Sequence, residues 1–356
     1  MDKFENLQIT KVIIHEVYKR ELTGEIKRPF FNTECCTLGT QEIEFLRQRI
    51  TGAMSSRSSA IFMEIDNDGE NSIFQYIKSY WENSDSNDEN FIALSKEITH
   101  RLTEAQVSKG IPGGVVVVLE GTVQEINKPF VAIIKAESQN GFTLEKQDER
   151  RVLRFLRDLF LTPHQKLQKV GLFINNAVHG RKIMKTDIDA FVFDSNADSA
   201  NTNKATYFYN NFLGLKYRSD SNVVTNKFFM STKEFIQQCN EFSSTQKIDK
   251  ISALISYLKF EVNQFVNANE FADRIFENSP LKRSYLDRLE SEGISCERFR
   301  KDLSLADMHM KKRQIILDNK IKLFAPTDNF DDMVKITDNE DGTTSFVVQG
   351  KIQNER

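Results

Sequence analysis

No uninterrupted apolar run in this chain of 356 residues is longer than the run VVVVL at 115–119. Five residues of this kind are typical of a strand buried on both faces, whereas a helix that crosses a bilayer needs about 20. Apolar runs at 130–134 and 142–144 follow, with turn residues between them. The chain is therefore expected to fold around an antiparallel meander, and no membrane span is expected.

Segments with helical spacing lie on both sides of this predicted sheet. After a candidate N-cap at Thr40, apolar residues repeat at helical spacing, which predicts a helix over 41–53. Further predicted helices cover about 73–81, 89–108, 148–161, 220–240 (as a pair), 247–266, 269–277 and 282–291. Further predicted strands are 9–17, 26–31, 188–193, 321–324, 333–336 and 344–348, with a turn at Asp341-Gly342. Because strands and helices are grouped rather than alternating, the predicted fold class is α+β.

The chain is long enough for two domains. Residues 243–248 mix small, polar and charged side chains between two helical segments, which predicts a boundary there. The N-terminal domain, 1–242, is expected to be α+β, with an antiparallel or mixed sheet and flanking helices. The C-terminal domain, 243–356, is expected to be a helical unit followed by a small β element with a hairpin.

Composition and charge restrict the kind of partner. Hydrophobic residues make up 39% of the chain and include 28 Phe, which excludes disorder throughout. Lys and Arg number 48 against 51 Asp and Glu, a net charge of −3, so nucleic-acid contacts must come from local patches. The N-terminus has no signal-peptide pattern, and the four Cys form no C-x-x-C pair. We therefore expect an intracellular protein with no disulfide framework, zinc site or cofactor.

Two segments concentrate cations. Residues 146–169 contain seven Lys or Arg against three acids, a net of +4, and residues 297–313 contain six against three, a net of +3. Phosphate binding needs several cations on one surface, because counterion release increases with the number of phosphates neutralised. A solvated helix face without a ligand is the alternative for either segment. The predicted DNA contacts are Arg150, Arg151, Arg154, Arg157, Lys166, Lys169, Arg298, Arg300, Lys301, Lys311, Lys312 and Arg313.

Carboxylates near one predicted strand suggest an enzyme as an alternative. Asp187, Asp189 and Asp194, with Lys135 from another strand, are the residue types of a metal-dependent nuclease. Acidic residues at strand ends are also common as turn-forming groups, and no ordered motif joins these four. The five His have no metal-ligand spacing. We therefore predict a protein without catalytic or metal-binding residues.

Two other patterns have a structural interpretation. The glycine-rich loop 110–114 precedes a strand rather than a helix, so a turn is favoured over a phosphate cradle. Residues 204–218 interleave five aromatic residues with Lys216 and Arg218. Base stacking is one interpretation of that stretch, but packing of most of these rings in the core is favoured.

The order of several short segments is more informative than any single motif. They are ITKVIIH at 9–15, GGVVVVL at 113–119, FVAII at 130–134, YFYNNFLG at 207–214, IKLFAP at 321–326 and VKI at 334–336. In this order they resemble the bacterial nucleoid-associated protein family that includes NdpA and YejK, over nearly the whole chain. The resemblance implies a cytoplasmic protein of the nucleoid that binds DNA or DNA-bound proteins and has no assigned catalytic residue.

The sequence thus predicts a non-enzymatic, nucleoid-associated DNA-binding protein. Weak sequence specificity is expected, since phosphate contacts from the local basic patches would dominate and no helix-turn-helix or zinc-finger pattern is present. The alternative is a protein-interaction adaptor that a DNA-topology or phage-defence partner recruits to the nucleoid. Double-stranded DNA is the expected ligand, while a protein partner and a homodimer stay open.

Overall fold

The computed structural model describes residues 4, 6–21, 23–54, 60–83, 87–123, 127–137, 139–147, 150–159, 167–178, 180–195, 206–277, 279–328 and 330–353, of which 139–147, 150–159 and 279 are described by their backbone alone. Two compact units form, Met1–Arg218 and Ser219–Arg356. The architecture is α+β, as predicted. The compact units divide after Arg218, earlier than the predicted domain boundary. That boundary, after residue 242, concerns parts that fold independently and stays a prediction.

The first unit is built on ten described strands. They are β1 (Leu7–Val17), β2 (Phe30–Phe31), β3 (Ile61–Ile65), β4 (Gly114–Val123), β5 (Lys128–Ala136), β6 (Gln139–Gln147), β7 (Arg150–Leu159), β8 (Lys169–Asn175), β9 (Ile188–Asp194) and β10 (Leu215–Tyr217). Eight of them form one sheet in the order β10-β3-β9-β8-β5-β4-β1-β2. Every neighbouring pair in this sheet is antiparallel.

Helices accompany the sheet. They are α1 (Thr40–Met54), α2 (Ile73–Glu82) and α3 (Asp88–Ala105), and a short π-helix, Tyr207–Phe212, comes late in the unit. Ser72 and Asn87 cap α2 and α3, because their side-chain oxygens accept hydrogen bonds from backbone N–H groups of the first turn. The helices predicted at 41–53, 73–81 and 89–108 are thus confirmed to within a few residues.

The apolar run in β4 is buried on both faces of the sheet. Val116 and Val118 are as fully buried as Val117 and Leu119, which alternate with them. Val117 and Leu119 belong to the same core cluster as α1 residues such as Ile50. Burial on both faces explains why β4 is a continuous apolar run and not an alternating one.

The helix predicted over 148–161 is wrong. Residues 150–159 form β7, which pairs antiparallel with β6 in a two-stranded sheet of their own, here called the β6–β7 ribbon. The register pairs Phe142 with Phe155 and Leu144 with Leu153, and such cross-strand apolar pairs stabilise a hairpin. The predicted meander is correspondingly wrong in its third strand, because β5 pairs with β8 and not with β6.

A row of charged residues crosses three adjacent strands at one end of the main sheet. The register pairs Lys135 of β5 with Lys169 of β8, and Lys169 with Asp194 of β9. These residues are 1%, 5% and 3% exposed, respectively. The ammonium of Lys169 donates to the Asp194 carboxylate, while Lys135 Nζ donates to the carbonyl oxygen of Pro112 at 3.0 Å. The row is therefore paired within the fold and does not face solvent.

This environment changes the protonation of the row. Burial lowers the pKa of Lys135 to about 8 and also lowers the pKa of Lys169. The Lys169 ammonium lies 5.2 Å from the ring centre of Tyr207, and burial raises the pKa of that phenol. The Tyr207 hydroxyl has no hydrogen-bond partner among the described residues. Asp194 is thus the carboxylate on which the buried charge of Lys169 depends.

His15 of β1 is held neutral inside the first unit. Its Nδ1 accepts a hydrogen bond from the backbone N–H of Asn32 at 3.1 Å, so the proton is on Nε2, which lies 2.8 Å from Ser95 Oγ. Ser95 Oγ in turn donates to the carbonyl oxygen of Ile92. Burial, with the charge of Lys96, lowers the pKa of His15 to about 4. A protonated imidazole would lose the hydrogen bond from Asn32.

The second unit is mainly helical. Its described helices are α4 (Ser221–Gln238), α5 (Ser244–Ile255), α6 (Ala268–Ile275), α7 (Ser279–Ser291), α8 (Asp307–Met310) and α9 (Phe330–Met333), with a π-helix, Ser256–Phe260, after α5. The predicted helix pair over 220–240 is one helix. The helix predicted over 247–266 ends at Phe260, and Val262, within the predicted range, is 98% exposed.

Three short antiparallel pairs complete the described part of the second unit. They are β11 (Phe265–Val266) with β12 (Phe299–Arg300), β13 (Lys312–Ile316) with β14 (Lys322–Pro326), and β15 (Val334–Asp338) with β16 (Thr344–Val348). The predicted C-terminal strands and the Asp341-Gly342 turn are confirmed, with Gly342 at a φ of 82°. Strand β13 was not predicted.

Removing the carboxylate of Asp194 should destabilise the first unit strongly. In Asp194→Asn the buried Lys169 ammonium loses its counter-charge, which we expect to lower the free energy of unfolding by about 3–5 kcal/mol. The double variant Lys169→Met/Asp194→Leu, which removes both charges, should recover much of this loss. Urea unfolding followed by the fluorescence of Trp81 measures both. A double variant as unstable as Asp194→Asn would contradict this interpretation.

His15 should make the first unit lose stability as the pH falls. The folded-state pKa near 4 is below the unfolded value of about 6.5, so between these values the unfolded chain binds a proton that the folded chain does not. The free energy of unfolding should fall by up to about 3 kcal/mol across that window from this group. In urea unfolding at pH 7 and at pH 4.5, the free energy of unfolding should fall less between the two pH values for His15→Gln than for the wild-type protein. Parallel profiles would mean that His15 titrates normally.

Candidate nucleic-acid interface

The first predicted basic segment lies mostly in the β6–β7 ribbon. Strand alternation places Arg150 and Arg154 at positions on one face of the ribbon and Arg151 at a position on the other, while Arg157 lies where the register of the two strands shifts. The common helical face that the sequence predicted for positions 150, 154 and 157 is therefore wrong. Lys166 lies outside the described residues.

Lys169, the last cation of that segment, has a different role. Its ammonium is in the buried row and donates to Asp194. A cation that is 5% exposed and already paired is not placed to meet a phosphate on the surface. The structure therefore assigns Lys169 to the stability of the sheet.

The second predicted segment is divided between internal contacts and solvent. Arg313 donates to Ser252 Oγ at 2.7 Å and to the carbonyl oxygen of Ile248 at 3.2 Å, and burial lowers the pKa of its guanidinium. Lys301 Nζ donates to the Glu261 carbonyl oxygen at 2.9 Å. These two cations hold parts of the second unit together.

The remaining cations of that segment are closer to solvent. The Arg298 guanidinium lies 4.4 Å from the ring centre of Phe265, a cation–π contact. Lys311 Nζ lies 3.4 Å from an Asp307 carboxylate oxygen, in an exposed pair of little energetic weight. Arg300 on β12 and Lys312 on β13 are exposed. Several of the six cations that give this segment its net charge of +3 are thus used in contacts within the protein.

Strand β13, which was not predicted, changes the setting of Lys312. The register pairs Lys312 with Pro326, Gln314 with Phe324 and Ile316 with Lys322, and all of these positions are exposed. Their side chains share one face of the hairpin, since residues two apart in a strand point the same way. That face combines two lysines with Ile316 and Phe324, which are 60% and 62% exposed.

The carboxylates proposed for a nuclease do not form a metal site. Asp194 is paired with Lys169, and Asp187 accepts a hydrogen bond from the backbone N–H of Met184 at 2.8 Å. Asp189 and Asp194 lie near opposite ends of β9, which corresponds to about 16 Å of strand. Within the described ranges, no group of three His, Cys, Asp or Glu residues is arranged to hold a metal ion.

The aromatic stretch at 204–218 packs mainly in the core, as favoured from the sequence. Tyr207, Phe208 and Phe212 of the π-helix are buried, and the ring centres of Phe208 and Phe212 lie 5.5 Å apart. Base stacking on these three rings is therefore excluded by their burial. Tyr209 and Tyr217 are half-buried, and their ring centres lie 5.4 Å apart.

The sequence analysis missed a cleft in the first unit, here called the Trp81 cleft. Its walls are the end of α2 with Trp81, the start of β5 with Lys128, and the loop between β8 and β9 with Arg181 and Lys182, and its volume is about 990 Å³. The sequence contained two indications of it. Trp81 is the single tryptophan, and Gly180-Arg181-Lys182 is a turn residue followed by two cations.

Comparisons with known proteins identify the family. No helix in the described part of the chain is long and apolar enough to cross a membrane. No curated protein shows significant similarity to the chain. A family model described as nucleoid-associated protein YejK matches residues 13–356, which confirms the resemblance found in the sequence. Since the match covers nearly the whole chain, the protein belongs to the nucleoid-associated protein YejK family.

Proposed function

We propose that this protein is a non-enzymatic, DNA-binding protein of the nucleoid that contacts duplex DNA through the β6–β7 ribbon. The observation that supports the proposal most is the ribbon itself, a two-stranded element outside the main sheet with four arginines on one strand. The family, whose members are nucleoid-associated proteins, supports the same role. Contacts to phosphates would provide the affinity.

The dimensions of a two-stranded ribbon fit a DNA groove. The major groove is about 12 Å wide and admits such a ribbon. Arg150 and Arg154 are four residues apart on β7, which corresponds to about 13 Å along a strand. Cations with that separation match the phosphates on the two sides of the groove. Such contacts are independent of the bases, so weak sequence specificity follows.

The charge distribution favours a local contact over a coat of protein along the DNA. The chain has a net charge of −3, and several cations of the segment 297–313 are used within the second unit. Lys312, which is exposed, is the member of that segment that we retain as a candidate DNA contact; Arg300 is exposed too, but its charge also acts on Asp302, whose pKa it helps to lower. Lys311 is exposed as well, but an exposed pair with Asp307 competes for it.

A protein-interaction adaptor is the second candidate function. Exposed apolar side chains on the C-terminal hairpins favour it: Ile316, Phe324, Val347 and Val348 are 56–62% exposed. In this case a DNA-topology or phage-defence partner would bring the protein to the nucleoid. A protein partner and a homodimer stay predictions, and so does a location in the cytoplasm at the nucleoid.

Direct binding should be strongly dependent on salt. We expect purified protein to shift duplex DNA, and log affinity should fall against log salt with a slope of about −0.9 for each phosphate neutralised. In Arg150→Gln/Arg154→Gln the slope should become shallower by about two such contacts, and affinity should fall equally for unrelated DNA sequences. Fluorescence anisotropy with labelled duplexes at several salt concentrations measures both quantities.

A matched variant distinguishes the ribbon from a general effect of charge. Lys227→Gln/Lys335→Gln removes the same charge from exposed positions of the second unit, on α4 and β15. If the ribbon is the contact, this pair should change the slope less than the ribbon pair does. Equal effects would remove the ribbon assignment, and no binding at low salt would favour the adaptor.

Plasmid DNA should stay intact in the presence of the protein. Asp187, Asp189 and Asp194 are not arranged as a shared cation site, so incubation with magnesium or manganese should produce no nicked or linear product. Agarose gels over a time course provide the measurement, with a protein-free reaction as control. Cleavage that disappears with chelator would contradict the non-enzymatic assignment.

A further inference from the structure

The Trp81 cleft has the size and composition of a ligand site. Its volume of about 990 Å³ lies at the upper end of the range for small-molecule and cofactor pockets, about 300–1,000 Å³. Three separate segments of the first unit form it, and Asn127 and Asn175 line it together with the cations; Asn175 Oδ1 accepts a hydrogen bond from the backbone N–H of Ala177 at 2.9 Å. Amides offer both donors and acceptors, which suits a ligand with polar edges.

The protein neutralises the cations of the cleft only in part: Glu82 attracts Lys182, whose charge is among the causes that lower the pKa of Glu82. Arg181 and Lys182 are exposed and form no ion pair with any described residue, whereas nearby Lys185 lies 3.4 Å from Asp68. The one carboxylate in the wall, Glu82, already accepts from the backbone N–H of Ile183 at 2.8 Å and pairs with Lys78 at 3.2 Å. The cleft therefore has an excess of positive charge, which favours an anionic ligand.

Trp81 adds an aromatic surface beside these cations. It lies in the last turn of α2 and is half-buried, and its ring has no aromatic or cation–π contact with the described residues. Stacking on an aromatic side chain is the common way to hold a nucleic-acid base without sequence preference. An indole in the same cleft as two exposed cations is thus complementary to a base that has a phosphate attached.

We propose that the Trp81 cleft binds one nucleotide unit, with the base stacked on Trp81 and the phosphate held by Arg181 and Lys182. This goes beyond the proposed function, because a base inside a duplex cannot stack on a protein side chain. Lys128, whose Nζ also contacts the carbonyl oxygen of Asn176 at 3.5 Å, extends the positive wall. A free nucleotide and an unpaired nucleotide of a single strand share this chemistry.

The single tryptophan makes the cleft directly observable in the full-length protein. Titration with thymidine 5′-monophosphate and with a short oligothymidylate should quench the Trp81 fluorescence with saturation, after inner-filter correction against N-acetyltryptophanamide. Thymidine without phosphate should bind at least about tenfold more weakly, as should either ligand to Arg181→Gln/Lys182→Gln. Equal affinities for the wild-type protein and this variant would overturn the proposal.

Controls separate this site from the duplex contact. Lys185→Gln, in the same loop but outside the cleft wall, should bind both ligands as the wild-type protein does. Oligothymidylate binding much tighter than the monophosphate identifies a single strand as the ligand, and similar affinities identify the free nucleotide. Linear quenching, or equal quenching by a duplex of the same length, overturns the proposal. Duplex binding that depends on Arg150 and Arg154 would stand in either case.

Discussion

The register of β8 and β9 in the first unit is constrained by the pairing of Lys169 with Asp194 in a largely apolar sheet. Strands β4, β5 and β8 are buried on both faces, so a charge among them is tolerated only with a partner at the correct register. A slip of one residue between β8 and β9 would move Lys169 to the opposite face from Asp194. The pair thus opposes alternative registers that apolar strands alone would allow.

The same arrangement gives the two ends of the sheet different properties. At one end, the row Lys135–Lys169–Asp194 is covered, and the rings of Tyr207 and Phe208 lie 5.2 and 5.6 Å from the Lys169 ammonium. At the other end, where β5 begins and β8 finishes, the chain forms the open Trp81 cleft. Strands β5 and β8 contribute to both ends, with Lys135 and Lys169 at the covered end and Lys128 and Asn175 at the cleft.

The sequence predicted the sheet better than it predicted the surface. A run such as 115–119 has one favourable environment, the middle of a sheet, so strand β4 was predictable. Residues 150–159 fit a helical and an alternating pattern equally well, and the pairing of Phe142 with Phe155 across the ribbon decides between them. This pairing joins two residues that are 13 positions apart, and no local motif announces it. Local spacing alone therefore predicted a helix.

Charges were the least predictable feature, because a count of cations does not say where their partners are. Lys312 and Arg313 are adjacent in the sequence, yet Lys312 is exposed on β13 while Arg313 is half-buried against Ser252 and Phe330. Alternation along a strand separates them, so a basic run in a strand contributes about half of its charge to each face. In a chain with a net charge of −3, the cations that matter for nucleic acid are those without a carboxylate or carbonyl partner. Arg181 is exposed and forms no ion pair with a described residue, whereas Lys182 also attracts Glu82, and the indications of their cleft in the sequence were the single Trp81 and the pattern Gly180-Arg181-Lys182 rather than a run of cations.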